Sequence, residues 1–481
     1  MPRPTLVIAG ATGFIGRWFI ERYHRDYHIV ALSRSVMRPE ADYDRAEWRQ
    51  VEMYSITSTE EALRGADYAL YLVHSMSPSA RLSQGSFEDT DLLLADNFAR
   101  AAATNKLKQI VFVGGLLPKD YPEEKLSRHL RSRREVEITL GSTGVPVTAL
   151  RAGIIVGANG SSFRMIEKLV DRLPVLICPA WCQTATQPIE LDDALKIIDY
   201  CLGRESTYDR PIDIGGPEQT DYMHMLQQVA ELRGKRRVIK PVRFFSPGFS
   251  VFWVSLFTDS SQTLVSPLVE SLKHRMVAEH NDVLEAFPDR KDFKTAARRA
   301  LYGTSVLPPL PRRLPDEQKG EKNTVRSVQR LPNPAGHTAT YVARLYQRWL
   351  PILFKTLVRV TTEGDTSTFR SFGIPLLRLQ FIPDRSDDDR QLFYIVGGIL
   401  AKRKNHGWLE FRRVLNGKFI ISAIHEFVPS LPWYVYVVSQ APAHAWVMKK
   451  FGNYLATLGP GAKITSAAPP SPPPIAPAPA P

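Results

Sequence analysis

A short apolar run followed by three regularly spaced glycines constrains this chain more than any other feature. The stretch 5–16 is TLVIAGATGFIG. Its run LVIA is typical of a strand buried on both faces of a parallel sheet. Gly10, Gly13 and Gly16 follow at three-residue spacing, and the next segment, RWFIERYHR, has the pattern of a helix. Strand, glycine turn and helix in this order predict a turn that binds the diphosphate of a dinucleotide.

Each of the three glycines has its own predicted role in that turn. Gly10 allows the tight turn, Gly13 lets the backbone approach a pyrophosphate, and Gly16 lets the helix pack close to the sheet. The helix N-terminus offers N–H groups and a positive dipole to the phosphates. The alternative is a glycine-rich turn that binds no ligand, but the flanking strand and helix favour the dinucleotide.

Length and charge limit the classes of protein to consider. A chain of 481 residues is too long for one core, so we expect two or three domains. The formal net charge of +13 is compatible with an anionic partner. Because no dense Lys/Arg run is interleaved with aromatic residues, we expect no nucleic-acid binding. An excess of arginine that is spread along the chain is more typical of a solubilising surface than of a nucleic-acid-binding one.

The cysteines and the start of the chain favour a cytoplasmic protein. Cys178, Cys182 and Cys201 fit no zinc or redox spacing, so we expect reduced thiols and no metal site. The chain enters a strand almost at once, which leaves no room for a signal peptide. No uninterrupted apolar stretch is long enough to span a bilayer, and the nearest, Phe244 to Phe257, is broken by a Pro-Gly pair.

Changes in composition and pattern divide the chain into five predicted segments. Residues 1–240 are expected to form a dinucleotide-binding domain with a small substrate lobe, and residues 241–307 a helical extension. The stretch 308–323, rich in proline and charge, is expected to be a linker. Residues 324–460 are expected to form a separate α+β domain with an antiparallel sheet, because short strand-like runs dominate there. The Pro/Ala-rich residues 461–481 are expected to be disordered.

Strand-like and helix-like segments alternate through the first domain. This alternation predicts a doubly wound parallel sheet of the Rossmann class of α/β fold, with right-handed crossovers. Ligands of such folds bind at the carboxyl edge of the sheet. His74 and Gly114 each end a predicted strand, so we expect both at the cofactor cleft. A purely structural histidine is the alternative for His74.

Ser33 and Arg34 end the second predicted strand, where a site that prefers NAD has an acidic residue for the ribose 2′-hydroxyl. A hydroxyl beside a guanidinium suits a 2′-phosphate instead. The sequence therefore favours NADP(H) over NAD(H), with NAD(H) kept as an alternative. A solvated loop arginine is the alternative for Arg34. Tyr54 and Ser55 follow the third predicted strand, where many relatives of this fold have an acidic residue.

Several stretches of the first 240 residues resemble the atypical short-chain dehydrogenase/reductases. They are GATGFIG, YLVHSM, GSFEDTDLLLADNFARAA, LSRHLRSRREVE and LRAGIIVGANGSSF. The chain is most similar to the NAD(P)H-binding, epimerase/dehydratase-like group, which is related to the nucleotide-binding accessory subunit of respiratory complex I. The second half resembles an uncharacterised β-rich domain often fused to such proteins. The resemblance implies that the nucleotide is bound by Gly10, Thr12, Gly13, Phe14, Ile15, Gly16 and Arg34.

The residues expected for catalysis depart from the pattern of that family. Its active members use a Tyr and a Lys four apart on a helix, with a Ser or Thr at the end of the fifth strand. Here that strand ends in two glycines, and the four-apart pair Tyr121 and Lys125 precedes the helix. On the helix itself the four-apart pair is His129 and Arg133, which share a face.

The pair His129 and Arg133 is the predicted catalytic pair. His129 can carry a proton near neutral pH. Arg133 can bind ribose or phosphate but cannot lose its proton. The alternative is that both are ordinary surface residues of a helix.

The sequence is compatible with two functions. One is an NADP(H)-dependent oxidoreductase or epimerase-type enzyme acting on an apolar small molecule or a quinone. The other is a nucleotide-binding protein without turnover, such as a redox sensor or an assembly component, which the loss of the family's Ser, Tyr and Lys favours. The net positive charge and the aromatic stretch FFSPGFSVFWVSLF also suggest contact with a membrane surface. The sequence predicts no oligomeric state.

Overall fold

A computed structural model describes residues 3–38, 45–74, 82–119, 121–242, 270–304, 306–314, 324–355, 357–402 and 407–461. The chain divides into two compact units, the first made of residues 1–77 and 90–318 and the second of residues 78–89 and 319–481. The five predicted segment boundaries remain predictions. None of the helices in the described ranges is long and apolar enough to cross a membrane. The stretch Phe244 to Phe257 lies outside these ranges.

A seven-stranded sheet forms the centre of the first unit, and all its neighbouring strands are parallel. Its strand order is β7-β6-β5-β4-β1-β2-β3, so the order reverses between β1 and β4. This confirms the predicted doubly wound Rossmann sheet and places its crevice above β1 and β4. The strands are β1 Thr5–Ala9, β2 His28–Ser33, β3 Glu47–Gln50, β4 Tyr68–Tyr71, β5 Gln109–Gly115, β6 Val147–Ala152 and β7 Arg210–Ile214.

Helices connect these strands, and several begin where the sequence offers a capping side chain. The Ser127 hydroxyl accepts a hydrogen bond from the Leu130 amide at the start of α4, and the Asp221 carboxylate caps α7 in the same way. Such caps satisfy amides that have no partner within the helix. The helices are α1 Phe14–Tyr23, α2 Ile56–Ala62, α3 Phe87–Thr104, α4 Arg128–Leu140, α5 Ser161–Arg172, α6 Leu191–Cys201, α7 Tyr222–Leu232, α8 Asp282–Glu285 and α9 Phe293–Tyr302.

The core of the first unit lies against the central strands. Leu6 and Ile8 of β1 are completely buried and pack with Phe19 of α1 and Ile198 of α6. A strand buried on both faces needs the uninterrupted apolar sequence that β1 has. A second apolar cluster joins α5, α7 and α9. Short paired strands complete this unit, at Met37–Arg38, Ile155–Val156, Val175–Pro179, Ile189–Glu190, Val238–Val242 and Arg312–Arg313.

The second unit contains an eight-stranded sheet, in which seven consecutive strands pair antiparallel with one another. This confirms the predicted antiparallel sheet. The eighth strand, Leu82–Gln84, pairs parallel with β8. The other strands are β8 Val325–Pro332, β9 Val358–Glu363, β10 Thr366–Ser371, β11 Ile374–Phe381, β12 Arg390–Gly397, β13 Trp408–Val414 and β14 Phe419–Phe427, and the helices are α10 Ala339–Leu353, α11 Trp433–Val438 and α12 Gln440–Ala456.

Some elements of the second unit were not evident from the sequence. The strand Leu82–Gln84 is too short to show an alternating pattern. In β8 the pairing register shifts between Val325 and Ser327, which breaks the alternation that would mark a strand. The helix α11 is short and rich in β-branched and aromatic residues, which favour strands by propensity.

A fully buried carboxylate lies within the sheet of the second unit. Glu410 accepts hydrogen bonds from Arg390 Nε at 2.8 Å and Arg412 Nη2 at 2.9 Å, and its other oxygen lies 3.1 Å from His425 Nε2. Burial alone would raise the pKa of Glu410, but the two guanidinium charges and the histidine hold it well below its usual value. The carboxylate therefore stabilises the fold while it is ionised.

Replacing Glu410 should destabilise the second unit strongly. Glu410→Ala removes the buried carboxylate that pairs with two buried guanidinium groups, which costs about 3–5 kcal/mol of unfolding free energy. Because the folded pKa is depressed, this contribution is present above the pKa of the unfolded chain and is lost as the pH falls through the folded pKa. Urea unfolding of the full chain at several pH values measures both effects.

The matched control is Arg413→Ala on the same strand. Arg413 pairs with Asp389 at 3.2 Å, and both side chains are partly exposed. A surface pair of this kind contributes about 0–1 kcal/mol. Equal losses for Glu410→Ala and Arg413→Ala would contradict the role assigned to the buried carboxylate.

Candidate active site

The glycine turn after β1 has a backbone that only glycine adopts easily. Gly10 has a φ of +91°, and a Cβ there would lie 3.0 Å from the backbone of Leu72. A Cβ on Gly16 would lie 2.7 Å from the carbonyl oxygen of Gly10. Gly13 donates its amide to that same carbonyl at 2.9 Å. The turn is thus closed tightly against β4, as a diphosphate-binding turn requires.

The N-terminus of α1 is open at this turn. Its N-cap is Gly13, and no side chain caps it. Phe14 and Ile15 are the first two residues of α1, so their amides have no acceptor within the helix. Thr12 is half-buried beside them. Uncapped amides at a helix N-terminus suit a phosphate, so this cradle fits the dinucleotide predicted from the sequence.

The end of β2 presents one buried and one exposed polar side chain. Ser33 is buried, and its hydroxyl accepts a hydrogen bond from the Ser35 amide at 3.1 Å. Arg34 is exposed. Because β2 pairs with β1 in parallel, both residues lie at the same edge of the sheet as the glycine turn. Arg17, by contrast, donates to the carbonyls of Leu307 and Pro308.

A cavity of about 420 Å³ opens beside the glycine turn. Its lining includes six of the residues predicted from the sequence, and most of the rest is apolar. The apolar part comes from α5, α7 and the segment 176–182, with Trp181 and Tyr222 as its aromatic members. The predicted site residues that line it are Phe14, Ile15, His74, Gly114, His129 and Arg133.

Four polar side chains form a connected group at one wall of this cavity. His74 Nδ1 lies 2.9 Å from Asp91 Oδ2, and His74 Nε2 lies 3.2 Å from His129 Nδ1. Arg133 Nη2 donates to the same Asp91 oxygen at 3.4 Å. We call these residues, His74, Asp91, His129 and Arg133, the imidazole relay.

The relay fixes the protons on its two imidazoles when Asp91 is ionised. A carboxylate can only accept, so His74 donates from Nδ1 to Asp91. His74 Nε2 then accepts from Nδ1–H of His129. The remaining nitrogen, His129 Nε2, has no hydrogen-bond partner among the described residues. This leaves a lone pair on a cavity-lining residue, which is the arrangement of a general base.

The pKa values of both imidazoles are lowered, which favours their neutral forms. Burial, followed by the charges of His74 and Arg133, lowers the pKa of His129 to about 3. Burial and the charge of Arg133 also lower the pKa of His74, and the hydrogen bond to Asp91 only partly offsets them. A shifted pKa in a cavity wall is typical of functional sites.

The Arg133 guanidinium is held inside the protein. Its Nη1 donates to the carbonyl oxygen of Val73 at 3.1 Å, and its carbon lies 5.3 Å from the centre of the Phe112 ring. Arg133 is buried. It therefore holds Asp91 and the end of β4 in place, in addition to lining the cavity.

Asp91 was not predicted from the sequence. It lies on α3 among the leucines and alanines of an apolar helix face, and it is buried. An aspartate in that setting carries no motif, so only the folded structure shows its contacts with His74 and Arg133. Tyr121 is exposed and does not line the cavity, and Lys125 lies in the short 3₁₀ helix Glu123–Lys125.

Two of the three cysteines line the cavity as well. Cys178 and Cys182 are free and buried. A hydrogen bond from Cys182 lowers the pKa of Cys178, and the same contact and burial raise that of Cys182. Cys201 is buried in the core of the first unit, and burial raises its pKa to about 12.

An acidic group at the start of α6 is a largely buried ion-pair network. The carboxylate oxygens of Glu190, Asp192 and Asp193 lie within 4.8 Å of one another. Arg299 and Lys196 already pair with them, at 2.9 and 2.8 Å. Arg22 also pairs with Asp192, and the Lys291 amide donates to Asp193.

Comparison with known proteins places a nucleotide-binding domain in the first part of the chain. Residues 10–171 match the protein family described as NAD(P)H-binding. The curated relative "Auxiliary protein GraX" from Staphylococcus aureus is 29% identical over 145 residues, which are 30% of this chain and 43% of that protein. The match thus spans less than half of that relative's length.

Solved structures with similar folds were also found. A nucleoside-diphosphate-sugar epimerase from Staphylococcus aureus is 16% identical, with a TM-score of 0.49 over 61% of this chain and 99% of its own. The NADPH-dependent quinone oxidoreductase QOR2 of Escherichia coli, complexed with NADPH, is 16% identical. Its TM-score is 0.48 over 62% of this chain and 100% of its own. The chain contains an NAD(P)H-binding domain, which confirms the predicted cofactor class.

Removing the charge of Asp91 should allow the imidazoles of the relay to change tautomer. An amide at this position can donate or accept, so in Asp91→Asn the His74 proton is no longer confined to Nδ1. The buried Arg133 also loses its anion, which costs about 3–5 kcal/mol of unfolding free energy. Long-range ¹H–¹⁵N correlation spectra of the imidazoles measure the first effect, and urea unfolding measures the second.

The control for this variant is Asp96→Asn on the same helix. Asp96 is equally buried but pairs with Arg100 at 2.9 Å. We expect it to leave both imidazole spectra unchanged. An unaltered His74 tautomer in Asp91→Asn would show that the carboxylate does not orient the relay.

Proposed function

We propose that the first unit, with its NAD(P)H-binding domain, is an NADP(H)-dependent oxidoreductase that acts on an apolar small molecule. The observation that supports this most directly is the cavity. It joins the start of α1, where the nucleotide is expected, to His129 and to a largely apolar pocket. A hydride donor, a proton-transfer group and a substrate can therefore meet in one enclosed space.

His129 is the proposed proton-transfer group. Bound NAD(P)H would supply a hydride, and bound NAD(P)⁺ would take one up. In the oxidative direction His129 Nε2 would accept the hydroxyl proton of an alcohol, the carbon–oxygen double bond would form, and the hydride leaving the carbinol carbon would pass to bound NAD(P)⁺. In the reductive direction the same proton returns to the oxygen of a carbonyl or quinone.

The other members of the relay are proposed positioning residues. His74 holds the proton of His129 on Nδ1, and Asp91 holds the proton of His74. Arg133 balances the charge of Asp91 and ties it to the end of β4. The neutral state of His129 leaves its Nε2 lone pair open to a proton, although a pKa of about 3 makes it a weak base.

The substrate is proposed to be apolar, with an oxygen at one end. The apolar part of the cavity is lined by side chains such as Leu169, Leu176, Trp181 and Leu226. Apolar walls bind a ligand through burial of its surface, whereas the few polar groups orient it. A quinone or an aromatic or aliphatic ketone has this shape and polarity.

The preference for NADP(H) over NAD(H) is proposed from the end of β2. Arg34 is exposed there and is available to a 2′-phosphate, with the Ser33 hydroxyl beside it. A guanidinium recognises a phosphate through charge-assisted hydrogen bonds.

A nucleotide-binding protein without turnover is the second candidate. The observation that favours it is the low pKa of His129, since a site with only neutral imidazoles has no acid ready to protonate a reduced substrate. The similar Staphylococcus aureus protein is named an auxiliary protein. A redox sensor or assembly component would bind the nucleotide in the same cradle.

Removing His129 should distinguish the two candidates. His129→Ala should lower kcat by about 10²–10⁴-fold while NADPH affinity stays unchanged, because a general acid–base contributes a factor of that size. The assay is NADPH oxidation with a panel of quinones, ketones and enones, together with calorimetric titration of NADPH.

Tyr121→Phe is the matched control, because Tyr121 is exposed and lies outside the cavity. It should keep full activity. Loss of activity in Tyr121→Phe but not in His129→Ala would refute the assignment. Tight NADPH binding with no turnover on any compound of the panel would support the sensor instead.

Charge reversal at Arg34 should separate the two cofactors. Arg34→Asp places a carboxylate where the 2′-phosphate is expected, so the Kd for NADPH should rise by about 10–100-fold, the value of a lost charged hydrogen bond. The Kd for NADH should change little. Calorimetry with both nucleotides tests this, and equal losses would show that Arg34 does not contact the phosphate.

A further inference from the structure

Cys178 and Cys182 form a pair of thiols in the apolar wall of the cavity. Cys178 lies in the short strand Val175–Pro179, and Cys182 lies in the 3₁₀ helix Ala180–Gln183 that follows it. Both residues line the cavity. A hydrogen bond joins their side chains, and the Cys182 thiol donates to the Cys178 sulfur. The change from strand to helix therefore brings two thiols that are four residues apart in the chain into contact.

The protein around the two thiols is apolar and closely packed. Both cysteines belong to the apolar cluster that joins α5, α7 and α9. Cys178 is 2% exposed and Cys182 is 5% exposed. A bulky reagent cannot reach side chains that are so little exposed, whereas a molecule little larger than water can reach them through the cavity. The surroundings of the pair therefore select for a small reagent.

The two thiols differ in how easily they ionise. The hydrogen bond from Cys182 lowers the pKa of Cys178, whereas the same hydrogen bond, followed by burial, raises the pKa of Cys182. Since the thiolate is the form that attacks an oxidant, Cys178 is the first of the two to react. Cys182 then lies in contact with the product. A more acidic thiol next to a second thiol is the arrangement of redox-responsive cysteines.

We propose that Cys178 and Cys182 are a redox-active dithiol that a small peroxide oxidises to a disulfide. With hydrogen peroxide, the Cys178 sulfur attacks one oxygen, the O–O bond breaks, and a sulfenic acid and a water are formed. The Cys182 sulfur then attacks the Cys178 sulfur, the S–O bond breaks, and a second water leaves as the S–S bond forms. The two thiols together give up two electrons and two protons, which the peroxide takes up. This reaction does not depend on the proposed oxidoreductase activity.

The disulfide would change the apolar wall of the cavity but not the cradle for the nucleotide. The two sulfur atoms of a disulfide lie about 2.05 Å apart, so the segment 176–182 has to adjust. Trp181 belongs to this segment and lines the cavity. The cradle is formed by the glycine turn and the start of α1, which are different elements. The Kd for NADPH should therefore be the same in the reduced and the oxidised chain.

The test counts the free thiols of the full chain before and after treatment with a small molar excess of hydrogen peroxide. Alkylation after denaturation should label all three cysteines of the reduced protein but only Cys201 after oxidation. Dithiothreitol should restore the labelling of all three. Cys178 and Cys182 lie in one tryptic peptide, residues 173–196. On oxidation this peptide should lose about 2 Da, the mass of two hydrogen atoms.

The decisive variant is Cys182→Ala, and its matched control is Cys201→Ala. Without Cys182 no thiol is in place to displace the oxygen of the sulfenic acid, so dimedone should label Cys178 and the disulfide peptide should not appear. Cys201 is buried in a different apolar cluster, so Cys201→Ala should form the disulfide like the unaltered chain. Circular dichroism and calorimetric titration of NADPH verify that both variants are folded.

Three outcomes would overturn the proposal. The first is that all three thiols of the folded chain stay free in peroxide. The second is that Cys201 is oxidised as readily as the pair, which would show that the contact between Cys178 and Cys182 gives no selectivity. The third is a disulfide between two chains, seen as a dimer on a non-reducing gel, in place of the disulfide within the peptide. A lack of turnover with every substrate would leave the thiol count unchanged, so it bears only on the proposed function.

Discussion

The close approach of the main chain at the glycine turn is the constraint on which the first unit depends. Gly10 takes a left-handed φ directly against Leu72, and Gly16 leaves room for the carbonyl of Gly10. Any side chain at these two positions would push α1 away from the sheet. Because the turn stays closed, the uncapped amides of α1 point to the crevice where the strand order reverses.

Both units contain charged side chains that are buried away from water. Asp91 and Arg133 are both buried beside the cavity, and they order the two imidazoles through hydrogen bonds. Glu410 and its two arginines form a comparable group in the second unit. Such groups tolerate burial only while every partner is present. In the first unit the buried charged group lies beside a ligand-sized cavity. In the second unit the buried charged group lies within a sheet.

The departure of the site from the pattern of short-chain dehydrogenase/reductases has a simple chemical consequence. An imidazole linked to a second imidazole can take up a proton at one end and pass it along, whereas a phenol needs a nearby cation to lose its proton. The pair His129 and Arg133 does not reproduce the usual Tyr and Lys, because Arg133 is directed to Asp91 and Val73. The structure therefore connects four residues at this position rather than a pair.

The sequence by itself determined the elements that local pattern encodes. The glycine spacing after LVIA, the alternation of strands and helices and the strand-like runs of the second half predicted both sheets and the nucleotide-binding domain. Tertiary structure alone decided what depends on distant partners. It brought His74 and His129, which are 55 residues apart, to 3.2 Å and joined Asp91 to them. It also placed Leu82–Gln84 beside β8. Such pairings leave no periodic trace in the chain, because they are set by packing between elements rather than within them.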